Sequence, residues 1–171
     1  MRTTIAVTIL ITLTSSAALT QQNSFQDSLL EHAVGNWVLQ GTIAGQQTTH
    51  DIDVAWVLAH QYLQIHEVSR EKNADGSPAY EAIVYIGWDQ STRQYDCLWL
   101  DVTGGGGLTG QGIGHAKKDG DKIEFLFKGG DGSLFHTTFA YDQASDTWQW
   151  LMDGEENGKL QPFARVRLTR K

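Results

Sequence analysis

Between Tyr80 and Asp101 the side chains alternate in a way that fits two extended segments. Tyr80, Ala82, Val84, Ile86 and Trp88 fall on one face of the first. Tyr95, Cys97, Trp99 and Asp101 fall on one face of the second, with Leu98 and Leu100 opposite. Aromatic and β-branched residues at every second position mark strands packed on at least one side. The stretch Asp89-Gln90-Ser91-Thr92-Arg93-Gln94 between them predicts a turn, because its short polar side chains bond to nearby backbone groups. The same design recurs later. Trp88-Asp89-Gln90-Ser91 leading to Tyr95 is echoed by Tyr141-Asp142-Gln143-Ala144 leading to Trp148. One repetition is too few for a solenoid. It points instead to a sheet built from consecutive antiparallel hairpins.

Extending the same reading, strands are expected near 36–43, 47–57, 61–70, 79–88, 94–102, 108–116, 121–128, 133–142, 147–153 and 162–170. The turns between them hold Ala44-Gly45, Asp75-Gly76, Asp119-Gly120 and Asn157-Gly158, residues that tolerate positive φ. Pro78 and Pro162 lie at strand starts, where a missing N–H does least harm. Only 24–34 has helical spacing: Ser24 as cap, Phe25, Leu29 and Ala33 on one stripe, Gly35 as stop. No helical crossovers separate the strands, so connections run up and down. About ten strands in one sheet curl or close, and closure removes exposed edges. The expected fold is all-β: an up-and-down antiparallel β-barrel of about ten strands, with one short N-terminal helix at the barrel end.

The length of 171 residues suits one domain, placed at 24–171. A formal charge of −7 gives no basic footprint for nucleic acid and no attraction to anionic membranes. Residues 1–20 read as a secretory signal peptide, with Arg2, an apolar run from Ile5 to Leu13, and small residues at Ser16-Ala17-Ala18. The apolar run is shorter than the ~20 residues a membrane helix needs. The expected product is secreted or periplasmic, without membrane insertion of the mature chain. Cys97 is the single cysteine, so no internal disulfide forms; it reads as a small buried apolar residue.

Gly35-Asn36-Trp37 gives Gly-x-Trp at the start of the first strand, just after a short helix. In this the chain resembles the lipocalin-like, or calycin, barrels. The resemblance implies that Trp37 packs at the barrel base with a basic residue of the last strand across it. The last strand offers Arg165, Arg167 and Arg170. Arg167 is the first choice and Arg165 the second, since they share one strand face and Arg170 lies near the chain end. More narrowly, the chain is similar to a mainly bacterial lipocalin-like family, a domain of unknown function. The matching segments are Trp56-Val57-Leu58 to Leu63, Gly87-Trp88-Asp89 with Tyr95, Trp99-x-Asp101 before a Gly-rich loop, and the terminal Leu168-Thr169-Arg170-Lys171. That family implies a fold but no activity.

Catalytic signatures are absent. The six histidines show no metal-ligand spacing, and no nucleophile stands with a recognisable base. The Gly104–Gly114 run lacks the Lys-Ser/Thr of a phosphate loop and reads as a loop at the barrel mouth. The leading expectation is a barrel holding a small apolar or amphipathic molecule. Trp56, Tyr62, Tyr85, Trp99 and Trp150 would line it, and Gln64, His66, Asp101 and Arg167 would supply polar groups. Alternation alone leaves open whether Tyr62, Gln64 and His66 or Leu63 and Ile65 face inward. Three alternatives stand beside it. The aromatics could fill the barrel as a structural core. Haem could bind through His66, His115 or His136. An uncharacterised enzyme could use carboxylates such as Glu67, Asp101 or Asp153, though nothing in the sequence shows any two converging. No cofactor other than haem is implied, and oligomeric state is not fixed.

Overall fold

The computed structural model describes residues 25–104 and 108–171. The expected export segment and the Ser24 cap lie outside them. A single helical turn, α1 (Ser28–Glu31), precedes the strands. The first five are β1 (Gly35–Ile43), β2 (Gln46–Val57), β3 (Tyr62–Ser69), β4 (Glu81–Asp89) and β5 (Gln94–Asp101). Then follow β6 (Ile113–Ala116), β7 (Lys118–Asp119), β8 (Lys122–Lys128), β9 (Leu134–Asp142), β10 (Thr147–Glu156) and β11 (Lys159–Arg170). Ten of them close into an antiparallel barrel, and β7 stays outside it, paired only with β8. Barrel neighbours are successive in sequence, apart from two closing pairs. β1 pairs with β11 from Trp37↔Arg170 to Ile43↔Ala164, and β6 meets β8 at His115↔Leu126.

The repeated hairpin is built twice in the same way. Trp88 stands opposite Tyr95, and Tyr141 opposite Trp148. Asp89 Oδ1 accepts the Ser91 N–H at 2.8 Å, and Asp142 Oδ1 accepts the Ala144 N–H at 3.0 Å. Each turn then needs one left-handed residue, Arg93 at φ 55° and Asp146 at φ 46°. Aspartate holds the turn by the side-chain-to-backbone bond that makes it a turn former.

Two elements differ from expectation. The helix is one turn rather than 24–34, and Asp27 caps it, its Oδ1 accepting the N–H groups of Leu29 at 2.9 Å and Leu30 at 3.0 Å. So short a helix has little stability of its own and is held by tertiary contacts. Leu29 and Leu30 are buried, and Asp27 Oδ2 accepts the Tyr95 hydroxyl at 2.5 Å and Lys118 Nζ at 3.1 Å. The sixth strand begins at Ile113 rather than 108, because Gly110–Gly112 forms a 3-10 turn. Glycines bring no side chain to pack on a sheet.

Trp37 is fully buried at the helix end, its Nε1 donating to the Ala33 carbonyl at 2.7 Å. The cation over its ring is Arg170, with Cζ 4.1 Å from the ring centroid, and not Arg167 or Arg165. The reason is parity. Ala164, Val166 and Leu168 are the buried positions of β11, so Arg170 continues that phase while Arg165 and Arg167 fall on the exposed one. Arg170 is not frayed either. It donates to the Val34 carbonyl at 2.9 Å, the His32 carbonyl at 3.0 Å and Asp146 at 2.7 Å. Gly35 makes room for it: a Cβ there, at φ +128°, would stand 2.8 Å from Arg170 Nη1. The Gly-x-Trp motif and the terminal arginine are thus one packing unit. Arg165 instead bonds Asp153 at 2.5 Å, beside the irregularity between Met152 and Asp153.

Cys97 is fully buried on the inward face of β5, and burial, then the charge of Asp96, pushes its thiol well above the ordinary range. A protonated, shielded thiol is a poor nucleophile. We expect a thiol reagent to label the native protein far more slowly than the denatured chain. Equal rates in the two states would show that the strand opens readily.

Candidate functional site

The barrel is filled at one end and hollow at the other. On β2 the inward residues are His50, Ile52 and Val54; on β3 they are Leu63, Ile65, Glu67 and Ser69. Toward α1 the interior is packed by Trp37, Ile86, Ile123, Phe125, Phe139, Trp148 and Trp150. A gap of about 20 Å³ lies there, beside Leu30 and Trp37. Toward the opposite end a cavity of about 700 Å³ opens, lined by residues of eight barrel strands and the loops above them. Its deepest layer holds His50, Glu67, Trp99, Phe127, Thr137 and Met152. Phe135 and Phe163 pack edge-to-face above them at 5.5 Å, and Thr103, Gln111 and Gly112 bring both described ends of the Gly-rich segment to the mouth.

Register explains how the buried polar pair forms. Ile52 lies opposite Glu67 and His50 opposite Ser69, so His50 and Glu67 are diagonal neighbours on one face. His50 Nδ1 bonds Glu67 Oε1, with 4% and 2% of the two side chains exposed. His50 Nε2 stands 2.7 Å from Thr48 Oγ1, whose hydroxyl donates to Glu71 Oε2 at 3.0 Å. Glu71 is held below its usual carboxylate range: backbone N–H groups, its own and that of Thr49, and the Thr48 hydroxyl outweigh its desolvation. An ionised carboxylate only accepts. The Thr48 proton is therefore spent on Glu71, and His50 Nε2–H donates to Thr48. Glu67 Oε2 is shut from solvent without a hydrogen-bond partner.

A second polar chain runs beside the first. Trp99 Nε1 donates to the Tyr80 hydroxyl at 3.1 Å, which donates to Asp101 Oδ2 at 3.3 Å. Asp101 Oδ1 accepts the Thr103 N–H at 2.8 Å. Burial, then the Glu67 charge, pushes the Tyr80 phenol far up, against the Trp99 bond, so it stays protonated. Its ring stacks on His50 at 5.7 Å between centroids.

Of the residues expected to line a cavity, Trp99 and Asp101 do so. Trp150 lies deeper, in the filled half, against Phe139 at 4.8 Å. Trp56 sits at the closed end, stacked on His60 at 4.1 Å. The others are on the outer face, because β3 and β4 turn Leu63, Ile65, Val84 and Ile86 inward and the alternate positions outward. Tyr62 covers Gly87 there, Gln64 stands opposite Tyr85, and His66 bonds Glu81 at 2.7 Å. Arg167 is exposed and reaches Ser145 at 3.2 Å. The histidines named for haem also miss the cavity. His66 bonds Glu81, His115 bonds Asp96, and His136 bonds Glu124 and Glu155, all on the outer face. Among the described residues no cluster of three or more His, Cys, Asp or Glu side chains could hold a metal ion.

His50, Thr48, Tyr80, Thr137 and Met152 went unnoticed in the sequence as site residues, and Glu67 was noted only as a strand-end carboxylate. A signal did exist. His50 is in phase with Ile52 and Val54, and Glu67 with Leu63 and Ile65, so both are polar residues on an apolar face. A polar side chain in that phase is either paired inside or forces the face open.

The closed antiparallel barrel is consistent with a lipocalin-like fold. No protein-family model matches the chain, and no curated protein sequence matches it.

Proposed function

We propose that this protein binds a small amphipathic molecule inside the mouth of its barrel. The observation that carries the reading is the cavity of about 700 Å³, walled by Trp99, Phe127, Phe135, Met152 and Phe163 with a few fixed polar groups at its depth. Ligand cavities have this size and this mixture. The filled half supplies rigidity, since packed tryptophans and phenylalanines hold the strands that carry the site. The same reading takes residues 1–20 as an export signal and places the binder outside the cytoplasm, secreted or periplasmic. It also takes the Gly35-Asn36-Trp37 and Arg170 unit as a mark of kinship with the bacterial lipocalin-like family.

Native mass spectrometry of the purified protein should find a co-purified small molecule or, after its removal, binding of an amphipathic fluorescent probe. Thr137→Trp puts a two-ring side chain into the deepest layer. It should weaken probe binding by at least about tenfold, or 1.4 kcal/mol, while leaving the far-ultraviolet spectrum unchanged. Unaltered probe affinity in that variant would move binding elsewhere and remove the proposal.

A further inference from the structure

The walls of the cavity are apolar, but the charge they carry has one sign. Its lining includes Glu67, Glu71 and Asp101 and, among the described residues, neither lysine nor arginine. Glu71 is held below its usual carboxylate range and contributes negative charge to that lining. Three acidic residues alone would say little, because Glu71 and Asp101 have their oxygens bonded to neighbours.

The independent observation is Glu67. Its side chain is 2% exposed and lies in the deepest layer, and Oε2 has no partner. A buried acceptor left unbonded costs about 1–3 kcal/mol, more when it is charged. Among the described residues the other buried side-chain polar atoms without partners, the Nε1 atoms of Trp56 and Trp148, are donors and belong to residues that do not line the cavity. Glu67 lines the cavity, so a donor that reaches Oε2 through a small shift of the side chains around it would satisfy that oxygen. The same lining holds the rings of Tyr80 and Trp99, and aromatic faces attract cations.

We infer that the cavity selects amphipathic cations: molecules with a protonated amine on an aromatic or aliphatic body, the amine donating to Glu67 Oε2 and the body lying against Trp99, Phe127 and Phe135. This rests on the proposed binding site and narrows it to one chemical class. Arg167, expected among the polar groups of the cavity, stands outside the barrel and offers no counter-charge there. The formal charge of −7 helps, since a negative protein draws cations toward its surface. A carboxylate-headed ligand would meet Glu71 and Asp101 with no counter-charge and would leave Glu67 Oε2 unbonded.

Three probes with one body separate the possibilities: naphthylethylamine, naphthylethanol and naphthylacetate, titrated by calorimetry against the wild-type protein. The amine should bind at least about tenfold more tightly than the alcohol, and the acid weakest of all. Glu67→Gln should erase the preference for the amine while leaving the alcohol's affinity within about threefold. Asp101→Asn, at the mouth, should reduce the amine preference more gently and guards against a misfolded first variant. Equal affinities, or the acid binding best, would overturn the inference and leave an amphipathic binder standing. No binding by any of the three, or binding untouched by Thr137→Trp, would overturn the site along with it.

Discussion

Trp37→Ala should lower stability by about 3–5 kcal/mol, the range for emptying a large aromatic site in a core. The whole stability of a domain is only about 5–15 kcal/mol, so the variant will be close to unfolding. Trp37 is fully buried, fills the end of the barrel above Leu30, and ties the helix to β1 through the Ala33 carbonyl. Its loss opens a cavity and frees α1. Arg170→Ala should cost less. The guanidinium is part exposed, and its ring contact is worth about 0.5–1 kcal/mol at such a site; its bonds to Val34, His32 and Asp146 add to that. The double variant should be less damaged than the two single losses added, because both remove the same contact. Urea melts of the four proteins give the coupling. Strict additivity would mean that Arg170 acts through the backbone carbonyls and Asp146 alone. Arg170→Lys should restore little, since an ammonium cannot span those acceptors with a planar fork.

Asp27→Ala should cost about 2–4 kcal/mol, the sum of a lost helix cap and a stranded buried hydroxyl. Asp27 Oδ1 caps α1, and Oδ2 holds Tyr95 and Lys118. Burial works against its charged form, but the Tyr95 hydroxyl, the Leu30 N–H and Lys118 together hold the carboxyl below its usual range. A carboxyl depressed in the folded state adds stability above its unfolded pKa and loses it as pH falls through the folded value. Asp27→Asn keeps a capping oxygen and removes the charge. The stability gap between wild type and this variant should be full at neutral pH and should shrink as the medium falls below the ordinary aspartate range. A gap that stays constant down to strong acid would show that Asp27 acts through shape alone. Tyr95→Phe removes the donor from the other side, and its loss should overlap with that of Asp27→Ala.

The strand pattern was legible because a half-buried strand writes its burial into every second residue. Ala82, Val84 and Ile86 could be read as one face without knowing what covered them. Turns were legible because Asp89, Asp142 and Gly158 act locally, through bonds and φ values that need no distant partner. The same reading overreached at the helix, where 24–34 has helical spacing but only Ser28–Glu31 is helical. Four residues gain too little from their own hydrogen bonds, and contacts to Tyr95 and Lys118, far along the chain, set the extent. Arg170 was set aside as terminal, although continuing the phase of Ala164, Val166 and Leu168 by one step would have pointed inward.

Sequence by itself determined the all-β class, the succession of hairpins and the Gly35–Trp37 start of the barrel, because each depends on neighbours within a few residues. Tertiary structure alone decided where the barrel is filled and where it is hollow. Whether a tryptophan fills space or lines it depends on its level along the barrel axis, which is fixed by strand stagger and not by alternation. Trp150 and Trp99 are both large and inward, yet one belongs to the core and the other to the cavity wall. The meeting of His50 with Glu67 was likewise decided by register. A slip of one residue between β2 and β3 would turn one of them outward, and no local property of either strand records that choice.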